Sequence, residues 1–220
     1  MTPTYADTIN PLAGLHVVTS DPEEIEASAR AAETSLREYP YYRERFGDRA
    51  RMFGASDGAW LATLCQGERD YVRRQVLWLG TVLSARGVPR WLLERHLEFL
   101  HRELLRLTFN TDRCQPLLEA ALFLRALRRE QVTEREFAAL SAAFDERAGP
   151  EWTARLPGMG SILVSAVADE AAGIGRAVES VAGWAEDPSL FPEPWIAAVR
   201  GTVTEARRLV RLPANGRGDG

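Results

Sequence analysis

The sequence predicts an all-α fold, a multi-helix bundle, and three observations carry that reading. Leu93, Leu97, Leu100, Leu104 and Leu107 recur at spacings of 4, 3, 4 and 3, which puts one apolar seam on a helix of about five turns. Thr133 and Glu136 form a Thr-x-x-Glu capping box, the signature of a helix start. No segment alternates apolar and polar residues convincingly enough to be a strand.

Residues 1–19 carry Pro3, Pro11 and Gly14 with little periodicity and read as an arm that wraps or trails. Asp21 then caps a first helix, Pro22 suits its first position, and Glu23 and Glu24 sit where the helix dipole favours negative charge. That helix runs to about Glu38. Pro40 breaks it, and Tyr39, Tyr41, Tyr42 and Phe46 make an aromatic hinge before a loop over 47–57. Ser56 or Asp57 starts a short helix through Trp60, Leu61 and Leu64 that stops at Gly67.

A longer helix follows over 68–86, with Val72, Val76, Leu79 and Leu83 as its buried stripe and Gly87 as its left-handed stop. Pro89 opens the helix that carries the leucine seam. Residues 110–116 form a turn, and Leu117, Leu118, Ala121, Leu122, Leu124 and Leu127 continue the helical period to Glu130. The capping box begins a helix over 133–147, which Gly149 and Pro150 end. The segment 159–184 is helical and crowded with Ala166, Ala168, Ala171, Ala172, Gly173, Gly175 and Ala177, so a partner helix can approach it closely. A proline-rich link over 187–194 leads to a last helix over 194–211, and the tail 213–220 is too polar and glycine-rich to fold. The expected organisation is an N-terminal arm, 1–19, one helical domain, 20–212, and a disordered tail, 213–220.

All 27 basic residues are arginine. Without lysine, the chain cannot run Walker-type phosphate binding, Schiff-base or pyridoxal chemistry, a kinase lysine or a serine–lysine hydrolase. At 220 residues and 45% hydrophobic content the chain is long enough for one core or a core with a subdomain. The 31 acidic and 27 basic residues are interleaved, for a net charge of −4, so no one-signed field exists to steer DNA or anionic lipid. Neither nucleic acid nor a membrane is an expected partner. No apolar run approaches the roughly 18 to 20 uncharged residues that span a bilayer; even 162–181 is interrupted by Asp169, Glu170, Arg176 and Glu179. Cys65 and Cys114 make at most one bridge, and the N-terminus has no export-type pattern, so both read as reduced thiols of a cytoplasmic protein.

Few motifs carry chemistry. Gly54-Ala55-Ser56-Asp57-Gly58 fits the Gly-x-Ser-x-Gly pattern of a hydrolase nucleophile elbow, with His96 or His101 as a conceivable base. The elbow needs a buried strand before it, which Arg49 to Phe53 do not provide, and Ser56 reads as a helix cap. Glu98-Phe99-Leu100-His101 is a Glu-x-x-His element of the di-iron kind, and Glu94, Glu98 and His101 share one helical stripe as metal-ligand candidates. A second such element is missing, because the other histidines are His16 and His96. Arg90 with Glu94 and Glu98 with Arg102 are i,i+4 pairs of the kind that covers a solvated face. Gly158-Met159-Gly160-Ser161 begins like a dinucleotide fingerprint but lacks its third glycine, and reads as a loop entering a helix. Asp169, Glu170 and Glu179 read as solvated carboxylates. Trp60, Trp78, Trp91, Tyr41 and Tyr42, with Leu83, are the candidate ligand or interface residues, and no cofactor is predicted.

The run Val76-Leu77-Trp78-Leu79-Gly80-Thr81-Val82-Leu83-Ser84-Ala85-Arg86-Gly87-Val88-Pro89, with the helix to Leu107, resembles the segment of bacterial sensor globins that leads from the proximal haem helix through a Gly-Val turn into the next helix. The resemblance implies a globin-like middle section. Leu83 stands where a globin presents its proximal histidine, so a haem iron would lack that ligand. Haem-less globin-like regulators imply signalling through partners instead.

The expected function is therefore a non-enzymatic helical regulatory or sensor module that binds a partner protein, a second copy of itself, or a small apolar ligand. The alternative is a metal- or haem-dependent helical-bundle enzyme or binder using Glu98 and His101.

Overall fold

A computed structural model describes residues 3–107 and 111–210. The predicted tail, 213–220, lies outside the described residues, as do Asn110 at the start of the expected turn and Arg211 at the end of the last expected helix. Among the described residues the fold is all-α, with eleven α-helices and one pair of two-residue strands. The described residues form two compact units, 3–78 with 92–107 and 111–123, and 79–91 with 124–210.

The first unit opens with strands β1, Thr4–Tyr5, and β2, Val17–Val18, paired antiparallel with Thr4 opposite Val18. Helix α1, Pro22–Glu38, starts as its sequence directs, with the Asp21 carboxylate accepting from the Glu23 N–H at 2.9 Å. Helix α2, Tyr41–Phe46, occupies the expected aromatic hinge, and α3 covers Asp48–Thr63. The predicted loop over 47–57 is thus largely helix. Ser56 is no cap there: it lies mid-helix, wholly buried, its hydroxyl donating to the Phe53 carbonyl at 3.2 Å. The physical reason is packing. A Cβ built on Gly54 would stand 3.0 Å from the Ala32 Cβ, and one on Gly58 3.1 Å from the Ser28 Cβ, so the two glycines let α3 lie directly on α1. A pattern that reads as breakers or a catalytic elbow is a helix contact surface.

Helix α4, Arg69–Ala85, and α5, Arg90–Leu105, fall where the apolar stripe and leucine seam place them, and Leu93, Leu97, Leu100 and Leu104 are all buried. Helix α6 covers Gln115–Gln131. In the second unit, the turn leaving α4 is a Schellman motif: the Val88 N–H donates to the Leu83 carbonyl at 2.9 Å and the Gly87 N–H to that of Ser84 at 3.0 Å, with Gly87 at φ +89°.

Helix α7, Glu134–Ala148, carries the predicted capping box, with the Thr133 N–H donating to the Glu136 carboxylate at 2.9 Å and the Glu136 N–H to the Thr133 hydroxyl at 3.3 Å. The chain then enters a short helix α8, Pro150–Arg155, where proline begins an element instead of only ending one. The expected helix over 159–184 is two, α9, Met159–Ala171, and α10, Ala177–Ala185. A second Schellman motif divides them, with the Ile174 N–H on the Asp169 carbonyl at 3.0 Å, the Gly173 N–H on that of Glu170 at 3.0 Å, and Gly173 at φ +90°. Helix α11 spans Glu193–Leu209.

The core of this unit is aromatic. Trp195 is wholly buried and donates its indole N–H to the Ala185 carbonyl at 3.0 Å. Its ring stacks on Phe191 at 5.2 Å and meets Trp152 at 5.3 Å and Phe144 at 5.1 Å. A close approach to α9 occurs at Gly160, outside the small residues that led to its expectation: a Cβ on Gly173 or Gly175 would have nothing within 4 Å, whereas one on Gly160 would lie 2.7 Å from the Ser141 carbonyl oxygen of α7. Gly160→Ala therefore costs about 1 to 3 kcal/mol, because the obstruction is backbone, whereas Gly183→Ala, with nothing within 4 Å of its Cβ, gains about 0.5 to 1 kcal/mol in α10. Denaturant unfolding of the two variants measures both signs.

Candidate functional site

The N-terminal segment wraps onto α3. The Thr19 N–H donates to the Ala59 carbonyl at 3.1 Å, the Ala6 N–H to that of His16 at 2.9 Å, and the Asn10 amide reaches the Ser56 hydroxyl at 3.4 Å. Ala6, Val18 and Ala59 close a small buried cluster beneath it. Since successive strand residues point to opposite sides, burial of Val18 turns Val17 outward, to 51% exposure. His16 then meets Trp60 edge-on at 6.5 Å, and Trp60 meets Trp78 edge-on at 6.2 Å. Trp78 is 59% exposed and Leu15 is 77% exposed. The first unit thus displays an aromatic face built from His16 of the arm, Trp60 of α3 and Trp78 of α4.

Two of the six predicted ligand or interface residues, Trp60 and Trp78, are brought together in this way. Tyr41 is wholly buried, its hydroxyl receives a hydrogen bond from Arg45, and burial pushes its pKa up to about 12. Tyr42 packs edge-on against Phe46 at 5.2 Å, and burial raises its hydroxyl pKa too, with Asp57 adding to the shift. Leu83 and Trp91 belong to the second unit. Leu83 is half-buried and lends its carbonyl to the Gly87 turn, and Trp91 lies against Phe137 at 6.0 Å.

The stripe of metal-ligand candidates is not one solvated face. Glu94 is buried, Glu98 pairs with Arg95, and His101 is half-buried with its pKa lowered by desolvation. Among the described residues no three His, Cys, Asp or Glu side chains are grouped as a metal ion would need. No helix of the described residues is long and apolar enough to cross a membrane. Cys65 and Cys114 are both free and buried, in a mutual hydrogen bond that holds the Cys65 thiol well above its ordinary range.

Three buried groups escape sequence reasoning because their partners are distant in the chain. Asp169, expected in solvent, is 2% exposed. Its carboxylate accepts from the Ser84 hydroxyl at 2.7 Å, the Arg90 N–H at 2.8 Å and the Arg90 Nε at 2.6 Å. Arg90, expected to pair with Glu94 on a solvated face, is instead buried against Asp169. The α5 N-terminus is in effect capped from α9, where Ser165 also receives the Trp91 N–H at 3.3 Å. In the first unit, the His96 Nδ1 lies 2.9 Å from the Ser35 hydroxyl, its Nε2 is buried without a partner, and burial lowers its pKa to about 4.

An open groove of about 500 Å3 in the second unit is lined by Ala139, Leu140, Ala143 and Leu209 with Thr133, Arg135 and Glu136. In the first unit a groove of about 600 Å3 runs along α1, between α3 and α5, and is rich in arginine. The chain matches no protein-family model, no curated protein and no solved structure.

Asp169→Ala strips Arg90 of its counter-charge in a buried site and costs about 3 to 5 kcal/mol in denaturant unfolding. For His96 the folded pKa of about 4 lies below the ordinary 6.5, so between those values the unfolded chain binds more protons. Stability is therefore lost as pH falls from 6.5 towards 4, by about 2 kcal/mol after allowance for the ring's partial exposure. Unfolding curves of His96→Gln across that window should be flatter by this amount; a slope equal to that of the unaltered protein contradicts the assignment.

Proposed function

We propose that this chain is a non-enzymatic regulatory or sensor module that binds a protein partner, another copy of the same chain included, through the Trp60–Trp78 face. One observation carries the reading: Trp78, at 59% exposure, stands clear of the core while Trp195 is wholly buried. A solvent-facing indole edge-on to a second indole, which His16 meets in turn, is the composition of an interface centre, where tryptophan supplies large contact area with few torsions to freeze. The arm holds this face in shape by backbone hydrogen bonds, so little order remains to be gained on docking.

The haem-less globin-like regulators that residues 76–107 resemble also signal through partners, which supports the reading by analogy alone. A small apolar ligand is the second reading, and its support is the groove beside Leu140 and Leu209.

The test is a photo-crosslinking residue placed at position 78 in the intact chain, with Leu122, another exposed apolar residue, as the control position. A discrete adduct formed from 78 and not from 122, identified by mass spectrometry as a second copy or as one other protein, is the expected result. Equal, diffuse labelling from both positions defeats the proposal.

A further inference from the structure

The arginine-rich groove of the first unit has a charge balance that the rest of the chain lacks. Its lining includes five guanidinium groups and three carboxylates, a local excess of two positive charges on a chain whose net charge is −4. Two of the five arginines are already neutralised. Glu103, buried, accepts from the Arg30 Nε at 2.9 Å and from Arg106 at 2.6 Å, and Glu26 lies 3.2 Å from Arg30. Arg37 on α1, Arg51 on α3 and Arg102 on α5 have no carboxylate partner among the described residues, and Glu33 is the remaining acid of the lining.

These three arginines come from three different helices whose backbones are held close. The Gly54–Ala32 and Gly58–Ser28 contacts lock α3 to α1, and the Arg30–Glu103 and Ser35–His96 bonds hold α5 to α1. Arg102 lies over the buried Phe99 ring, 5.6 Å from its centroid, which positions the guanidinium while leaving N–H donors free. The half-buried Thr34 adds a hydroxyl to the same lining. A charge excess of this kind costs self-repulsion unless something negative relieves it, and guanidinium forks match the paired oxygens of phosphate and carboxylate. The groove volume of about 600 Å3 falls in the range of small-molecule sites.

We infer that the groove between α1, α3 and α5 binds a small organic anion carrying at least two negative charges, a phosphoester or a polycarboxylate, through Arg37, Arg51 and Arg102. The ligand's charged end lies on the three guanidinium groups, and Glu33 opposes it.

Isothermal titration of the full chain with pyrophosphate, and separately with citrate, tests this. At least one probe should bind at a single saturable site with a dissociation constant of about 1 mM or tighter. Preference for pyrophosphate assigns the phosphoester class and preference for citrate the polycarboxylate class. Arg51→Ala and Arg102→Ala, both at exposed positions, should each weaken binding by about five-fold or more, with folding checked by circular dichroism. Glu33→Gln should tighten it by about two- to five-fold, and Arg135→Ala in the other unit should leave it unchanged. No saturable binding of either probe, or equal weakening by Arg135→Ala, overturns the inference.

Discussion

Helices in both units approach each other more closely than ordinary side chains allow, and glycine is what permits it. Gly54 and Gly58 face Ala32 and Ser28 at 3.0 and 3.1 Å from where a Cβ would stand, and Gly160 faces the backbone of Ser141 at 2.7 Å. Each contact puts small side chains or backbone where a larger side chain would hold the helices further apart. The arginine groove, lined from α1, α3 and α5, follows from where α3 lies on α1. An added methyl group at Gly160 meets backbone that must shift, whereas at Gly54 or Gly58 the facing side chain must give by a few tenths of an ångström.

Most helices were legible in the sequence, because periodicity and caps are local. The leucine seam of α5, the Asp21 cap of α1 and the Thr133–Glu136 box of α7 required no knowledge of anything beyond the next turn. The errors lie where a glycine or proline has more than one meaning. Gly54 falls in an expected loop and Gly58 at an expected helix start, and both are contact residues. Gly173, inside an apparently continuous small-residue helix, is a stop. Pro150, which reads as an end, is also a beginning. Nothing in the local pattern distinguishes these cases, since what decides them is the element packed opposite.

The candidate sites show the same limit. Trp60 and Trp78 stand out in the sequence as aromatics, but that they meet each other depends on how α3 meets α4, and that His16 joins them depends on the arm turning back over α3. The aromatic cluster of Trp152, Phe191 and Trp195 likewise has no local signal, because α8 and α11 bring its members together. Arg37, Arg51 and Arg102 looked like any solvated arginines of a lysine-free chain, and only the juxtaposition of three helices singles them out. Arg90 reads as a surface charge on a helix-pair rule that holds for isolated helices and fails when a nearer carboxylate arrives from elsewhere, and Asp169 reads as one because carboxylates are seldom buried.

That carboxylate also imposes an order in time. The first backbone N–H of α5 is satisfied by an oxygen 79 positions further along the chain. As the polypeptide leaves the ribosome, α5 emerges with its leading end open to water and acquires its native cap only when α9 has been made. The leucine seam can form early; the frame that fixes where its helix begins is a late event, and translation beyond residue 169 is its precondition.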